Sequence, residues 1–400
     1  MSDVPAGDTP EADTAPAAGR FAFLLHPLRM RDITGHFRFL RPVPERLTRF
    51  ALRQVPPFKV STIRGLVSNT GARAEGYFIA LAMLPDDILT APWPWMLRRL
   101  VYGGHVAEGL GAEILGLGAF TKIVGDRGVS VNQALSIPVT TGNSYTAASA
   151  VEGALYGADR MGHDRRNVRA LVIGASGSIG GAVSHMVARE VGEVVLCARR
   201  VEPLEELRAR ILADLPADLP KPVVSIELDA RVAARSADLV FAVTSSSEVL
   251  LDPDDLFPGS VVCDVARPRN VSEKVYELRD DVLVIDGGVI AVPGDVDFGL
   301  SFGFPPGTAE ACIAETMILC LERRLEPFTL GADIPVERVL EISRLANKHG
   351  FKVAGFRRFE RAIPEAEVDG VRERARRRRR LPDVADMDAG TASGRHAPPA

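Results

Sequence analysis

Val168–Arg–Ala–Leu171–Val–Ile173–Gly174–Ala–Ser176–Gly177–Ser178–Ile179–Gly180 is the stretch that decides the fold of this chain. It opens as an apolar run of strand length and then carries glycine at every third position. From Ile179 to Glu190 the apolar residues take helical spacing. Glycines at a strand-to-helix corner let the chain turn tightly, let the backbone approach a pyrophosphate, and let the helix pack close to the sheet. The unpaired N–H groups at the helix start offer partial positive charge to an anion. The spacing is GxxGxxG rather than GxGxxG, but a strand before it and a helix after it are the context a dinucleotide site needs. Gly174, Ser176, Gly177, Ser178, Ile179 and Gly180 are the expected cofactor-binding residues. The bland alternative is a structural glycine turn.

Downstream, a regular alternation follows. Val194–Ala198 reads as a strand and Pro203–Leu212 as a helix, followed by short apolar runs at Val223–Leu228, Leu239–Thr244, Val261–Val265 and Val282–Ile285. Strands alternating with helical patterns imply parallel pairing through right-handed crossovers. Thr244, ending one of these strands, joins the expected cofactor contacts. An acidic residue after the second strand would accept hydrogen bonds from a ribose 2′-hydroxyl. Arg199 and Arg200 stand there instead, and guanidinium groups suit a 2′-phosphate. NADP(H) is therefore the expected cofactor.

Upstream, Phe21–Leu25, Phe58–Val67, Gly76–Met83 and Glu113–Ala119 read as strands and Trp95–Leu110 as a helix. The expected fold class is α/β: a Rossmann-type parallel-sheet NADP-binding domain, an N-terminal α/β substrate domain, and C-terminal helices. The expected organisation is a disordered tail over 1–20, the substrate domain over 21–158, the Rossmann domain over 159–300, a helical segment over 301–360, and a disordered arginine-rich tail over 361–400. Within it, Asp295–Gly307 reads as a loop, and Thr308–Arg324 and Val336–His349 as helices.

Composition sets limits on function. The 400 residues are 46% hydrophobic and 25% charged, the balance of an ordinary globular protein. No run approaches the ~18 apolar residues of a membrane span, and the first 20 residues lack the basic and apolar blocks of a secretory signal. Peripheral membrane contact is the most that is expected. A net charge of −4 argues against dedicated nucleic-acid binding. The four cysteines (Cys197, Cys263, Cys312 and Cys320) lack zinc-site spacing, so no metal is expected, and a reducing cytoplasm fits them. Between Phe21 and Leu66, Arg29, Arg31, Arg38, Arg41, Arg46, Arg49, Arg53, Lys59 and Arg64 face only Asp32 and Glu45.

Several segments resemble the long-chain acyl-[acyl-carrier-protein] reductase family. Leu117–Gly–Ala–Phe–Thr–Lys–Ile123 resembles its LGGFTSI segment, and Thr140–Thr–Gly–Asn–Ser–Tyr–Thr146 resembles TTGNTHT. Gly174–Gly180 resembles GATGDIG, Ala311–Leu319 resembles ACFAEAMLL, and Lys348–His–Gly–Phe351 resembles RHGF. The matches keep their order and span about Phe21 to Gly355. Tyr145 stands where the family has His, and Asp264–Val–Ala–Arg–Pro–Arg269 replaces DGGYPKN. The resemblance implies NADPH-dependent reduction of a long-chain acyl thioester to an aldehyde, with an acyl carrier protein or CoA thioester as the partner and an aldehyde-consuming enzyme downstream.

Such chemistry passes the acyl group to a cysteine and then delivers hydride to it, so it needs a thiolate and oxyanion donors. The resemblance places the nucleophile at Cys312, about one turn into a helix whose positive end would lower a thiol pKa. Ala309, Cys312, Ile313, Thr316, Met317 and Cys320 also share one helical face, so plain core is the alternative. His349 is the candidate proton donor, with His26 and Glu315 weaker ones; Glu315 reads equally well as a helix-surface charge. Thr140, Thr141 and Asn143 suit capping, and the N–H groups of the same helix start are candidates for binding the nicotinamide amide or the thioester oxygen, with Thr141 among the expected cofactor contacts. The runs Phe78–Leu84 and Trp93–Val101 are candidate walls of an acyl slot. Arg46, Arg49 and Arg53, at helical spacing, are the candidate docking patch for an acidic carrier protein. Two other readings compete. One is a shikimate-dehydrogenase-like alcohol or ketone dehydrogenase using a Lys–Asp pair, with Lys59 or Lys122 as the lysine and Asp126 the nearest acid. The other is a non-catalytic NADPH-binding scaffold whose arginine-rich tail engages anionic lipid or a partner.

Overall fold

The computed structural model describes residues 18–244, 246, 248–266, 269–300, 305–358 and 361–379. Most of the expected N-terminal tail, and the chain from Arg380 onward, lie outside the described residues.

In chain order the elements begin β1 (Gly19–Leu25), α1 (Met30–His36), α2 (Glu45–Leu52), β2 (Phe58–Val67), β3 (Arg73–Ala80), α3 (Pro85–Thr90), α4 (Trp93–Gly109), β4 (Ile114–Leu117), α5 (Val129–Gln133) and β5 (Val139–Thr140). These strands form a mixed sheet in which β3, β1, β4 and β5 run parallel and β2 returns antiparallel on β3. Both of its faces are buried. Along β1, Phe21 and Phe23 join the main core while Ala22 and Leu24 join a second core with Met96 and Leu100 of α4, as the two-residue side-chain period requires.

The long α6 (Asn143–Met161) leads to β6 (Arg169–Ile173), α7 (Ser178–Val187), β7 (Glu193–Cys197), α8 (Glu202–Asp214), β8 (Val223–Glu227), α9 (Ala230–Ala234), β9 (Leu239–Ala242), β10 (Val261–Asp264), α10 (Glu273–Leu278) and β11 (Leu283–Asp286). The six strands are all parallel, in the order β11-β10-β9-β6-β7-β8. Counted from β6, that is the 3-2-1-4-5-6 arrangement of a dinucleotide-binding sheet. The fold class is the α/β one expected.

Three expectations need correction beyond β11. After β12 (Val289–Ala291), the stretch read as a loop contains β13 (Gly294–Asp297), which pairs antiparallel with β2 and so extends the first sheet. Gly65 makes the approach feasible: a β-carbon there would fall 1.9 Å from the Asp295 carbonyl oxygen. Residues 301–304 of that stretch lie outside the described residues. Next, Thr308–Glu310 is not helical but forms β14, paired antiparallel with β12, and the helix α11 starts only at Ala311 and ends at Leu321. Every residue of α11 is buried, so it is a central helix rather than an amphipathic one. Its Met317, Ile318 and Leu319 side chains contribute about 2 kcal/mol each by burial.

After α12 (Val336–His349), β15 (Lys352–Val353) adds to β12. Finally, part of the supposed arginine-rich tail is the helix α13 (Glu365–Arg379). Val368, Val371 and Ala375 are buried against the main core, a stripe at helical spacing that the surrounding arginines conceal in the sequence. Arg374 donates to the Asp280 carbonyl oxygen, and Arg378 pairs with Asp280 and Asp281. These cations hold the helix to the body, which removes them from the partner-engaging tail of the scaffold reading.

Candidate active site

The glycine corner takes the form its sequence requires. Gly174 sits at φ +90°, and Gly177 donates to its carbonyl at 2.9 Å. A β-carbon on Gly180 would fall 2.1 Å from that same oxygen, so only glycine lets α7 start this close to β6. Gly177, Ser178, Ile179 and Thr244 line a cavity of about 1170 Å³, while Ser176 is exposed on the loop beside it. The Thr244 hydroxyl is already committed, donating to Asn270 at 2.7 Å and accepting from Ser246 N–H, so Thr244 offers its backbone and methyl group alone. Arg199 and Arg200 are exposed immediately after β7, with no ion pair to a described residue.

Thr141 does not line the cavity; its hydroxyl donates to the Thr329 carbonyl at 3.0 Å. Nor do Thr140, Thr141 or Asn143 cap α6, whose N-cap is Gly142 at φ +73°. Asn143, not Thr141, stands where the helix start faces the glycine loop. It lines the cavity and donates to Ser178 at 3.3 Å, and its buried Oδ1 has no hydrogen-bond partner. An unpaired buried amide oxygen beside the glycine loop fits the amide donor of a nicotinamide. These residues fit a nicotinamide dinucleotide.

Cys312 lines the same cavity. It is the second residue of α11, closer to the helix start than the sequence suggested. A β-carbon on Gly142 would fall 2.3 Å from Cys312 Cα, so the starts of α6 and α11 meet backbone to backbone at this cysteine. Gly288 accepts from Ala311 N–H at 2.7 Å, which fixes α11 to the end of the parallel sheet. Burial pushes the Cys312 thiol up to about 12; Lys122 and the Ile313 N–H pull it down, and Glu310 opposes them. The thiol lies 3.7 Å from Glu310 Oε2. Lys122 is half-buried on the cavity wall, with no hydrogen bond or ion pair to a described residue. Sequence reasoning missed Glu310 and left Lys122 only to the competing dehydrogenase. The visible signal was a lysine in Leu117–Ile123 where the resembled segment has serine.

Glu315 is fully buried rather than a surface charge. It accepts from the Thr140 and Thr329 hydroxyls and from Tyr145 N–H, at 2.8 Å for the last. Burial raises its pKa against those bonds. It ties the β5–α6 turn to α11 behind Cys312. Tyr145 is core and does not line the cavity.

His349 is not at the site. Its ring bonds Ser68 Oγ and Glu322 Oε2, both at 2.8 Å. Glu322 is ten residues beyond Cys312 along α11, about 15 Å at helical rise. His349 instead clamps the β2–β3 turn to α11. His26 does line the cavity, but its Nε2 accepts from Phe120 N–H at 3.0 Å. The ring proton is thus on Nδ1, facing the Pro27 carbonyl at 2.9 Å. Burial lowers its pKa to about 4.

The acyl-slot and docking expectations change as well. Trp93–Val101 contributes nothing to the cavity, and of Phe78–Leu84 only Ala80 and Ala82 reach it. The apolar wall is Ile33, Phe37, Leu40, Leu47, Leu52 and Val55, from the segment whose arginines dominated its reading. Arg46, Arg49 and Arg53 do not form one free patch. Arg49 pairs with Asp87 at 3.0 Å and with Glu45, and Arg53 lies over the Trp95 ring. Arg46 alone is exposed without an ion pair to a described residue. Within Asp264–Arg269, residues 267 and 268 lie outside the described residues; Arg269 lines the cavity and pairs with Asp286 at 2.8 Å.

Residues 157–286 match the family model for shikimate / quinate 5-dehydrogenase. The chain is 33% identical over 291 residues to the aminotransferase PigE of Serratia sp. (strain ATCC 39006), covering 72% of this chain but only 33% of that protein's length. It is 28% identical over 316 residues to the long-chain acyl-[acyl-carrier-protein] reductase of Synechococcus elongatus, covering 74% of this chain and 87% of that one. Among solved structures, shikimate 5-dehydrogenase from Listeria monocytogenes in complex with shikimate and NAD aligns over 82% of this chain and 96% of its own, with 12% identity and a TM-score of 0.36. The parallel sheet, the glycine corner and the match over 157–286 together define an NAD(P)-binding domain of the kind found in NAD(P)-dependent oxidoreductases. No helix among the described residues is long and apolar enough to cross a membrane.

The low pKa of His26 has a consequence for stability. A histidine whose folded pKa lies below its unfolded value stabilises the fold above about pH 6.5, and that stability is lost as pH falls towards about 4. Urea unfolding from pH 7 to pH 4 is expected to show a loss of up to about 3 kcal/mol from this group. In His26→Asn that pH-dependent loss should be absent.

Proposed function

We propose that the protein is an NADPH-dependent reductase that converts a long-chain acyl thioester to the aldehyde through an acyl group carried on Cys312. The observation that supports this most is the placement of a cysteine, a carboxylate and an ammonium in one cavity that the dinucleotide corner and an apolar wall also line. At about 1170 Å³ the cavity is larger than the ~300–1,000 Å³ of ordinary small-molecule pockets. That volume suits a dinucleotide and an acyl chain together.

The residues divide the work. A thiol held near 12 is protonated at neutral pH, so its proton must leave as sulfur attacks the carbonyl. Glu310 Oε2 is the base within reach. The Ile313 N–H and the Lys122 ammonium oppose the negative charge that develops there. When the carbonyl re-forms, the carbon–sulfur bond to the carrier breaks, and the departing thiolate takes its proton from Lys122. When bound, NADPH would supply the hydride that the acyl carbon requires; as the carbon–sulfur bond to Cys312 breaks and the aldehyde forms, the thiolate takes back its proton from Glu310, and Lys122 recovers the proton it gave from solvent. Asn143 Oδ1 orients the nicotinamide amide, and Arg199 and Arg200 hold the 2′-phosphate. The partner is a phosphopantetheine thioester, the group common to acyl carrier protein and CoA.

A second reading has the match over 157–286 in its favour: a dehydrogenase using Lys122 with an acid. Its expected acid, Asp126, is engaged with the Ser130 N–H at 2.9 Å and with the Ser130 hydroxyl. That reading also leaves the Cys312–Glu310 pair and the apolar wall without a task.

Two kinetic outcomes are expected. With palmitoyl thioester, NADPH oxidation and aldehyde formation should be lost in Cys312→Ala and slowed about 10²-fold or more in Lys122→Met. Turnover that survives in Cys312→Ala and fails in Lys122→Met would favour the dehydrogenase. Replacing Arg199 and Arg200 together by alanine should raise KM for NADPH about 10- to 100-fold and leave KM for NADH unchanged; equal effects on both would contradict the 2′-phosphate role.

A further inference from the structure

The segment from Leu28 to Val60 carries an unusual concentration of solvent-facing apolar side chains. Phe39 is 72% exposed, Phe50 68%, Leu47 61% and Phe37 47%. Phe37, Phe39 and Leu47 also line the cavity, so they form the rim of its open end. Phe37 and Phe39 pack edge to face with centroids 6.1 Å apart, and Phe50 stands outside the cavity on α2. An exposed aromatic cluster of this kind marks an interaction site rather than scattered surface. Interleaved with it, Arg31, Arg38 and Arg46 are exposed and have no ion pair to a described residue. The nearby acids are occupied: Asp32 accepts from the Leu28 and Arg29 N–H groups, and Glu45 pairs with Arg49.

From this rim we infer that α1, α2 and the connection between them dock on the surface of an anionic lipid bilayer, with the cavity mouth facing the hydrocarbon. Phenylalanine and leucine side chains enter the acyl region, and arginines at the same level meet phosphate headgroups. The cavity wall behind the rim is apolar (Ile33, Leu40, Leu52 and Val55), so an acyl chain or a released aldehyde passes between bilayer and cavity without crossing water. An acidic carrier protein delivering an acyl chain would use the arginines and the apolar entry, but it gives no role to Phe50, which is exposed on α2 outside the cavity. The inference does not depend on thioester chemistry, because its test reads binding without turnover.

The full chain is mixed with vesicles of phosphatidylcholine alone or of phosphatidylcholine with phosphatidylglycerol, and bound protein is measured by flotation. Binding to the anionic vesicles, weakened by added salt, is expected. Phe50→Ser and the pair Arg38→Ala with Arg46→Ala lie outside the cavity lining. Each variant should keep the wild-type thermal midpoint; the arginine pair should bind about 30-fold more weakly, and Phe50→Ser should also lose affinity. Absence of wild-type binding to anionic vesicles would overturn the inference, as would variants that bind as well as wild type. Loss of acyl-carrier-protein affinity in the arginine pair, with no vesicle binding by wild type, would assign the rim to a protein partner and overturn it as well.

Discussion

The backbone contact between Gly142 and Cys312 is the constraint around which the molecule is arranged. It brings together the starts of two buried helices, α6 of 19 residues and α11 of 11. Helix starts carry unpaired N–H groups and partial positive charge, and Cys312 is the residue set between these two. Any residue larger than glycine at 142 would force the helices apart, and φ +73° there disfavours other residues as well.

Keeping the junction closed falls to Glu315. A carboxylate buried this deeply is costly unless its oxygens are satisfied, and Thr140, Thr329 and Tyr145 N–H satisfy them. Those three partners come from β5, from the chain after α11, and from α6, so one side chain registers three segments of the fold. The further end of α11 is held by the Ser68–His349–Glu322 chain of hydrogen bonds. Cys312 is therefore placed at the end of a rod fixed at both ends.

The dinucleotide half of the fold was legible because its signals are local. Gly174 is required by its positive φ, Gly177 and Gly180 by their approach to the Gly174 carbonyl a few residues away, and the strand-helix alternation around them has regular length. Glu310, Lys122 and Asn143 come from β14, the turn after β4 and the start of α6, and only tertiary packing brings them to one cavity. His349 misled for the same reason: a histidine at a helix end carries no sequence mark that distinguishes a clamp from a proton donor. The acyl wall and α13 were hidden by arginine. In both, apolar residues at helical spacing alternate with cations, and counting charge obscured the stripe beneath it.

Intact-protein mass spectrometry decides whether Cys312 carries the acyl group. The protein is incubated with palmitoyl-acyl-carrier-protein without NADPH, then with it, beside Cys312→Ala. The account predicts a palmitoyl adduct on the wild-type chain, absent from the variant and cleared by NADPH as aldehyde appears. An adduct of equal yield on Cys312→Ala, or aldehyde formed by that variant at the wild-type rate, would contradict it.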